Sequence, residues 1–298
     1  LAAVGQNGGV YTSSDYGINW TDHTNSNSQG WDSITSSGSG QYLAAGSLYG
    51  DIWTSNNYGA TWTDRQTGAG SQDWYSIASS NNGQYLAAVE SAWTGNVYTS
   101  NDYGATWTDQ TNAGSRVWTS VTSSSSGQYL AAAAAYGSNI YTSDDYGATW
   151  VTQTGAPSQT WQSVTSSSNG QYLAASSYGD IYTSSDYGVT WTDQTVPGSH
   201  TWYSIASSST GQYLAAVAWG IGVWTADDPS LAPPTTSTTI TSTIGSTITL
   251  TSNGTVNLNA IPTGNGVQTI ASDTVSVSTN DGSGYTLQLN ETNGSTTL

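Results

Sequence analysis

The sequence predicts an all-β chain whose larger part is a β-propeller of four-stranded blades. Three observations predict it. A Leu-Ala-Ala segment recurs with its leucine at Leu1, Leu43, Leu86, Leu130, Leu173 and Leu214, at spacings of 41 to 44 residues. A tryptophan followed by x-Ser-Ile/Val recurs at Trp31, Trp74, Trp118, Trp161 and Trp202. Each unit also holds four short runs rich in Val, Ile, Tyr, Trp and Thr, separated by Gly, Ser, Asn and Asp. Four strands per roughly 40–45 residues is the period of propeller blades, and so small a sheet covers both faces only by packing between neighbours.

The unit that opens at Trp118 shows the elements in order, with runs at 118–122, 128–132, 139–142 and 149–153. Turn-forming residues separate the runs, and no segment shows a helical apolar period. Ala131 to Ala135 would suit a helix in isolation, but sister repeats place Ala-Gly-Ser or Ala-Val-Glu there, so the segment reads as strand. The tyrosine of Gly-Gln-Tyr, as at Tyr129, reads as the start of a strand and as core. Counting gives three strands, four complete units and three strands, so six blades are at least partly present. A ring of seven would need residues outside this chain, since Leu1 falls in the middle of a repeat. A ring of five would require 202–206 to complete the N-terminal blade.

Between the third and fourth runs lies Ser-x-Asp-x-Gly-x-Thr-Trp. Its copies carry Asp15, Gly17 and Trp20; Asn57, Gly59 and Trp62; Asp102, Gly104 and Trp107; Asp145, Gly147 and Trp150; and Asp186, Gly188 and Trp191. A degenerate sixth position at Asp228 ends the array. The carboxylate can accept backbone N–H groups of its own hairpin. Glycine supplies a positive φ, and tryptophan is an apolar plug with one donor. Asn57 keeps an acceptor oxygen but could not replace a catalytic acid, so the motif reads as architecture.

These motifs resemble the Asp-box, or BNR, repeat of sialidases and many non-enzymatic propellers, and their spacing resembles photosystem II assembly-factor-like repeats. The resemblance covers residues 1–228. It implies the propeller fold but not the sialidase active site. That family clamps its substrate with three arginines, whereas this chain has only Arg65 and Arg116. An Asp-box glycosidase acting on neutral glycans would need two facing carboxylates. Among the acids outside the boxes, Asp51, Asp73, Glu90 and Asp180 are the candidates for such a pair, and the sequence brings no two of them together. No nucleophile elbow, phosphate loop or metal-ligand cluster occurs. The chain therefore reads as no enzyme, with no catalytic residues, metal or cofactor.

Alternating strand direction puts the box turns at one end of each blade and the loops after the second strand at the other. Those loops carry Tyr49, Trp93, Tyr136, Tyr178 and Trp219, and the preceding inter-blade loops carry Arg116 and His200. Aromatics with a polar handle can stack on a sugar ring and bond its hydroxyls. These seven are the candidate ligand-binding residues; packing between blade tops is the plainer account of the aromatics.

Composition bounds the partners. The net charge is -17, from 19 acidic residues against two arginines and no lysine. Such a surface repels phosphate backbones, which excludes nucleic acid. No apolar run approaches the ~20 residues of a membrane helix, so no direct membrane insertion is expected. With no Cys or Met and an abundance of Ser, Thr, Gly and Asn, the chain reads as extracellular or cell-surface.

Residues 229–239 read as a Pro/Thr/Ser linker. Residues 240–298 alternate apolar and hydroxyl residues, with turn signals at Asn253-Gly254 and Asn265-Gly266, and read as an incomplete β-sandwich-like module. The functional expectation is a non-catalytic propeller for glycan or protein recognition and adhesion. The alternatives are a structural subunit that self-associates through its C-terminal segment, and a hydrolase of neutral glycans.

Overall fold

The computed structural model describes residues 1–6, 8–23, 30–65, 72–194, 200–220 and 222–227, and five strands beyond them. The chain divides into two units, Leu1–Leu231 and Ala232–Leu298. Among the described residues the elements are strands, apart from one 3-10 turn at Thr111–Ala113.

Unit one is a succession of antiparallel sheets, the blades of a propeller. Blade 1 has three strands, Ala2–Val4, Val10–Thr12 and Thr21–His23. Blades 2 to 5 have four each, opening at Gly30, Trp74, Trp118 and Trp161. Blade 6 has three, Trp202–Ser207, Tyr213–Ala218 and Gly222–Asp227. The five-blade alternative is overturned, because Trp202–Ser207 pairs with Tyr213–Ala218 of its own repeat. In blade 4 the strands are Trp118–Ser123, Leu130–Ala134, Ile140–Ser143 and Val151–Gln153. Tyr129 therefore precedes its strand, and its partly buried ring meets Tyr187 of the next blade with centroids 4.8 Å apart, outside the fully buried core.

The first strands of successive blades pack against one another and line the axis. Trp31, Trp74, Trp118, Trp161 and Trp202 are all buried and sit at the seams. Trp161, for example, clusters with Ala131, Ala133 and Ile140 of the preceding blade. Each such ring removes ~150–250 Å² of apolar surface from water, which makes the seams the main hydrophobic contribution to the fold. The residue that opens the inner face of the third strand records this covering. Val10, Ile52, Val97 and Ile140 are 0 % exposed and Ile181 is 7 %, whereas Val223, on the uncovered face of blade 6, is 72 %.

Two polar ladders stitch the blades together. The serine of Trp-x-Ser-Ile/Val accepts the amide of the Ile or Val one blade on: Ile77 to Ser33 at 3.0 Å, Val121 to Ser76 and Val164 to Ser120 at 3.1 Å, Ile205 to Ser163 at 3.3 Å. At the ends opposite Trp118, backbone bonds of 2.8 Å run Gly38 to Asn81, Asn81 to Ser125, Ser125 to Ser168 and Ser168 to Ser209.

In unit two, Thr236–Thr241 pairs with Thr247–Ser252, which pairs with Gln288–Asn290, and Asn257–Asn259 pairs with Ser276–Ser278. Asp228, linker residues 229–235 and both Asn-Gly turn signals lie outside the described residues.

Candidate functional site

The Asp-boxes are braces. Ser143 Oγ accepts the amide of Gly147 at 2.9 Å and donates to Asp145 Oδ1 at 2.8 Å. Asp145 Oδ1 also accepts the amide of Thr149 at 2.8 Å, and Oδ2 accepts the Thr149 hydroxyl at 2.6 Å. The same set recurs around Asp102 and Asp186. In the Asn57 copy, Oδ1 accepts from Ser55 and from the Thr61 amide, both at 2.9 Å, while Nδ2 donates to the Thr61 hydroxyl at 2.8 Å. The threonine hydroxyl has turned from donor to acceptor, and the hairpin is unchanged. Trp20, Trp107, Trp150 and Trp191 each donate Nε1 to the box glycine's carbonyl at 2.7–3.1 Å.

Burial alone would raise the carboxyls of Asp102, Asp145 and Asp186, but bonds from the threonines and serines outweigh it and hold them below the ordinary value. Asp15 is held down to about 2, chiefly by the amide and side chain of Asn19.

The box tyrosines adopt positive φ beside the glycines, at 60–63° in Tyr16, Tyr58, Tyr103, Tyr146 and Tyr187. A bulky residue pays sterically for that conformation. Tyr103, Tyr146 and Tyr187 are held there by rings of the preceding blade, Tyr42, Tyr85 and Tyr129, at 4.4–4.8 Å.

At the other end of the blades, two kinds of loop meet. Bridges Gly50–Gln72 and Ser138–Gln159 tie the loop after the second strand to the following inter-blade loop. Trp93, Trp219 and Tyr49 are 74–79 % exposed there, and Tyr136 and Tyr178 are also exposed. Trp93 and Tyr136 stack with centroids 5.0 Å apart across the seam between blades 3 and 4. The Tyr49 amide donates to Asp73 Oδ1 at 3.1 Å. Arg116 lies over Tyr141 at 4.2 Å and Trp118 at 5.4 Å, and donates to the Ala113 carbonyl at 3.0 Å. His200 sits between Trp202 and Trp224, at 5.5 and 5.9 Å. Both cover aromatics of their own blades.

Sequence reasoning missed the residues nearest the axis. In every blade with a first strand the pairing register slips just after the tryptophan, so the next residue bulges from the ladder. A bulge re-aims its side chain. The bulged residues are Asp32, Tyr75, Thr119, Gln162 and Tyr203. Tyr203 lies 5.7 Å from Trp219 and 6.5 Å from Tyr178, extending the loop aromatics toward the axis. Burial raises the Tyr75 phenol, and the groups that add to the shift are Asp32, Tyr178 and Tyr203, from three other blades. Asp32 is raised by burial and by the charge of Asp73, while a hydrogen bond from Gln6 at 3.2 Å opposes the rise. The only sequence signal was variability: x in Trp-x-Ser is Asp, Tyr, Thr, Gln and Tyr amid invariant neighbours.

Glu90 braces a loop of this face. It is 4 % exposed, and its Oε2 accepts the Asn96 amide at 3.0 Å. Burial raises the Glu90 carboxyl and, with Glu90's charge, pushes the Tyr98 phenol up to about 12. No group of three His, Asp or Glu residues among those described is arranged to hold a metal. A crevice of about 490 Å³ between blades 4 and 5, lined by Tyr129, Leu130, Gln153, Leu173 and Tyr187 among others, lies at the box side. Its lining is the seam packing common to the blades, so the axial face remains the stronger candidate.

The BNR-Asp box repeat family matches residues 10–23, 140–154 and 181–194. Among solved structures, the chain is similar to YCF48 from Cyanidioschyzon merolae, with 15 % identity over 77 % of this chain and 79 % of that one, at a TM-score of 0.56. It is similar to a chain of the nidogen–laminin complex, with 12 % identity, coverage of 76 % and 89 %, and a TM-score of 0.57. It is also similar to an ancestral GH74 enzyme, with 14 % identity and a TM-score of 0.58. That match covers 93 % of this chain but 47 % of the enzyme, so the chain spans about half the enzyme's length. No curated protein matches the sequence. At these identities the likeness establishes the fold, an Asp-box propeller.

Proposed function

We propose that this Asp-box propeller is a non-catalytic recognition module that binds a glycan or protein partner on its axial face, outside the cell. One observation carries the reading. The loop aromatics and the bulged residues share one face, the loop aromatics are exposed with Tyr75 and Tyr203, and rings gather in two groups, Trp93–Tyr136 and Tyr178–Tyr203–Trp219. Loops on a rigid scaffold are where binding residues concentrate, and exposed Trp and Tyr offer large contact area at small entropic cost. Of the neighbours, one structure is of YCF48 bound to a D1 peptide and another of nidogen with laminin, which is consistent with a binding role.

A non-catalytic role is supported by what the acids do. Asp73 holds the Tyr49 amide, Glu90 holds the Asn96 amide, and the box carboxylates brace their own turns. The test is titration of the chain with oligosaccharide and peptide panels, read by tryptophan fluorescence, alongside Trp93→Ala and Trp219→Ala. Saturable binding that either variant weakens about tenfold supports the proposal. Binding untouched by both variants would refute it, and hydrolysis of a neutral glucan that stops in Asp32→Asn would restore the hydrolase reading.

A further inference from the structure

We infer that the axial ring receives a cation, the guanidinium or ammonium of an arginine or lysine side chain on a peptide partner. The inference rests on the axial face being the binding face. Asp32, Tyr75 and Tyr203 occupy the bulged position of three first strands, and Tyr203 continues into Tyr178 and Trp219 at 6.5 and 5.7 Å. A carboxylate and aromatic rings thus share one register of the first strands. The influence of Asp32, Tyr178 and Tyr203 on the Tyr75 phenol agrees with that placement.

No cation of the chain serves the axial ring. There is no lysine, and the two arginines are engaged elsewhere. Arg65 donates Nε to Thr54 at 2.6 Å, between outer strands of blade 2, and Arg116 covers Tyr141. Among the described residues no ion pair compensates Asp32 or Asp73. Asp32 accepts a hydrogen bond from Gln6, while Asp73 adds repulsion. An anion entering would meet like charge, and a neutral sugar would gain stacking and hydrogen bonds but no attraction between opposite charges. A cation gains attraction to the carboxylates and to the faces of Tyr75, Tyr203 and Trp219. The chain already shows the mode, with the Arg116 guanidinium 4.2 Å over Tyr141 at the same end of blade 4. An arginine or lysine side chain carries its charge on a slender apolar stem, so its stem can lie along the aromatic rings while the charge reaches the carboxylate.

The test uses the whole chain and four probes: an amidated tetra-arginine peptide, its citrulline isostere, a chitosan tetramer and N-acetylchitotetraose. Citrulline keeps the shape of arginine and removes the charge. The arginine peptide should bind at least about tenfold more tightly than the citrulline peptide. Asp32→Asn and Tyr203→Ala should each weaken it about tenfold. Asp186→Asn, which removes the same charge at the box end, should leave it unchanged. Equal binding of both peptides would overturn the inference. So would equal weakening by Asp32→Asn and Asp186→Asn, which would mark general attraction to an acidic protein. Binding of the chitosan tetramer alone would replace the peptide with an amino sugar. Binding of N-acetylchitotetraose lost in Trp219→Ala, without peptide binding, would refute the cation while leaving the axial face as the binding face.

Discussion

The hydroxyl of Ser120 accepts the amide of Val164, one blade away, at 3.1 Å. Val164 lies on a first strand that pairs along one edge only, in register with Ala175, and both residues are buried. The serine satisfies a donor that water cannot reach. The same bond at four seams makes the repeat spacing a structural constraint, because each serine must meet a partner in the next unit.

Ser120→Ala leaves the Val164 amide buried without an acceptor. The expected cost is ~1–3 kcal/mol, the desolvation penalty of an orphaned group. Urea unfolding should show a lower midpoint with an unchanged slope. A loss below ~0.5 kcal/mol, the level of an ordinary surface change, would mean that the amide finds another partner.

The boxes predict a graded response at Asp145. Asp145→Asn should cost under ~1 kcal/mol, since the Asn57 copy shows that an amide keeps the Ser and Thr amide contacts. Asp145→Ala orphans the Thr149 amide and should cost more, ~1–3 kcal/mol. The pH dependence has a definite sign. Asp102, Asp145 and Asp186 sit below the ordinary carboxyl value of 3.8 in the fold, so their stabilisation is complete above that value and fades as pH falls through the lowered ones. Asp145→Asn should therefore approach the parent protein in stability below pH 3.8. A constant gap down to pH 2 would show that the carboxylate charge contributes nothing.

The tyrosines at positive φ separate strain from stacking. Tyr103 at φ 63° rests on Tyr42 with centroids 4.4 Å apart, whereas Tyr16 at φ 60° is 97 % exposed. Tyr16→Gly removes strain and no packing, so it should be neutral or stabilise by a few tenths of a kcal/mol. Tyr103→Gly forfeits the ring contact, worth ~0.5–1.5 kcal/mol beyond the buried area, and should destabilise. Thermal unfolding of the two variants compares them directly; an equal shift would discard the stacking account.

Much of this architecture was legible because it repeats. The Leu-Ala-Ala strand, the seam tryptophan and the Ser-x-Asp-x-Gly turn each answer a local need, so residue type revealed role. Tyr129 was misread because an aromatic beside Leu-Ala-Ala looks like strand, yet its partner, Tyr187, lies one repeat away. The bulged ring of Asp32, Tyr75, Thr119, Gln162 and Tyr203 was illegible for a related reason. A bulge is a property of pairing between strands, and period-two alternation along one strand cannot reveal it. Aromatic exposure in the loops was anticipated; the engagement of Arg116 with Tyr141 depends on a strand more than twenty residues away.

Ile140 and Val223 hold the same place in their blades, and they should respond in opposite ways to truncation. Ile140 is fully buried against Trp161 of the next blade, while Val223 is 72 % exposed. Ile140→Ala opens a cavity in a packed seam and should cost ~2–5 kcal/mol. Val223→Ala removes atoms already in contact with water and should change stability by less than ~0.5 kcal/mol. Urea midpoints at two protein concentrations decide the matter. If Val223→Ala costs as much as Ile140→Ala, the open face of blade 6 is covered in solution. Concentration dependence would then assign the cover to a second copy, and its absence would assign it to the chain itself.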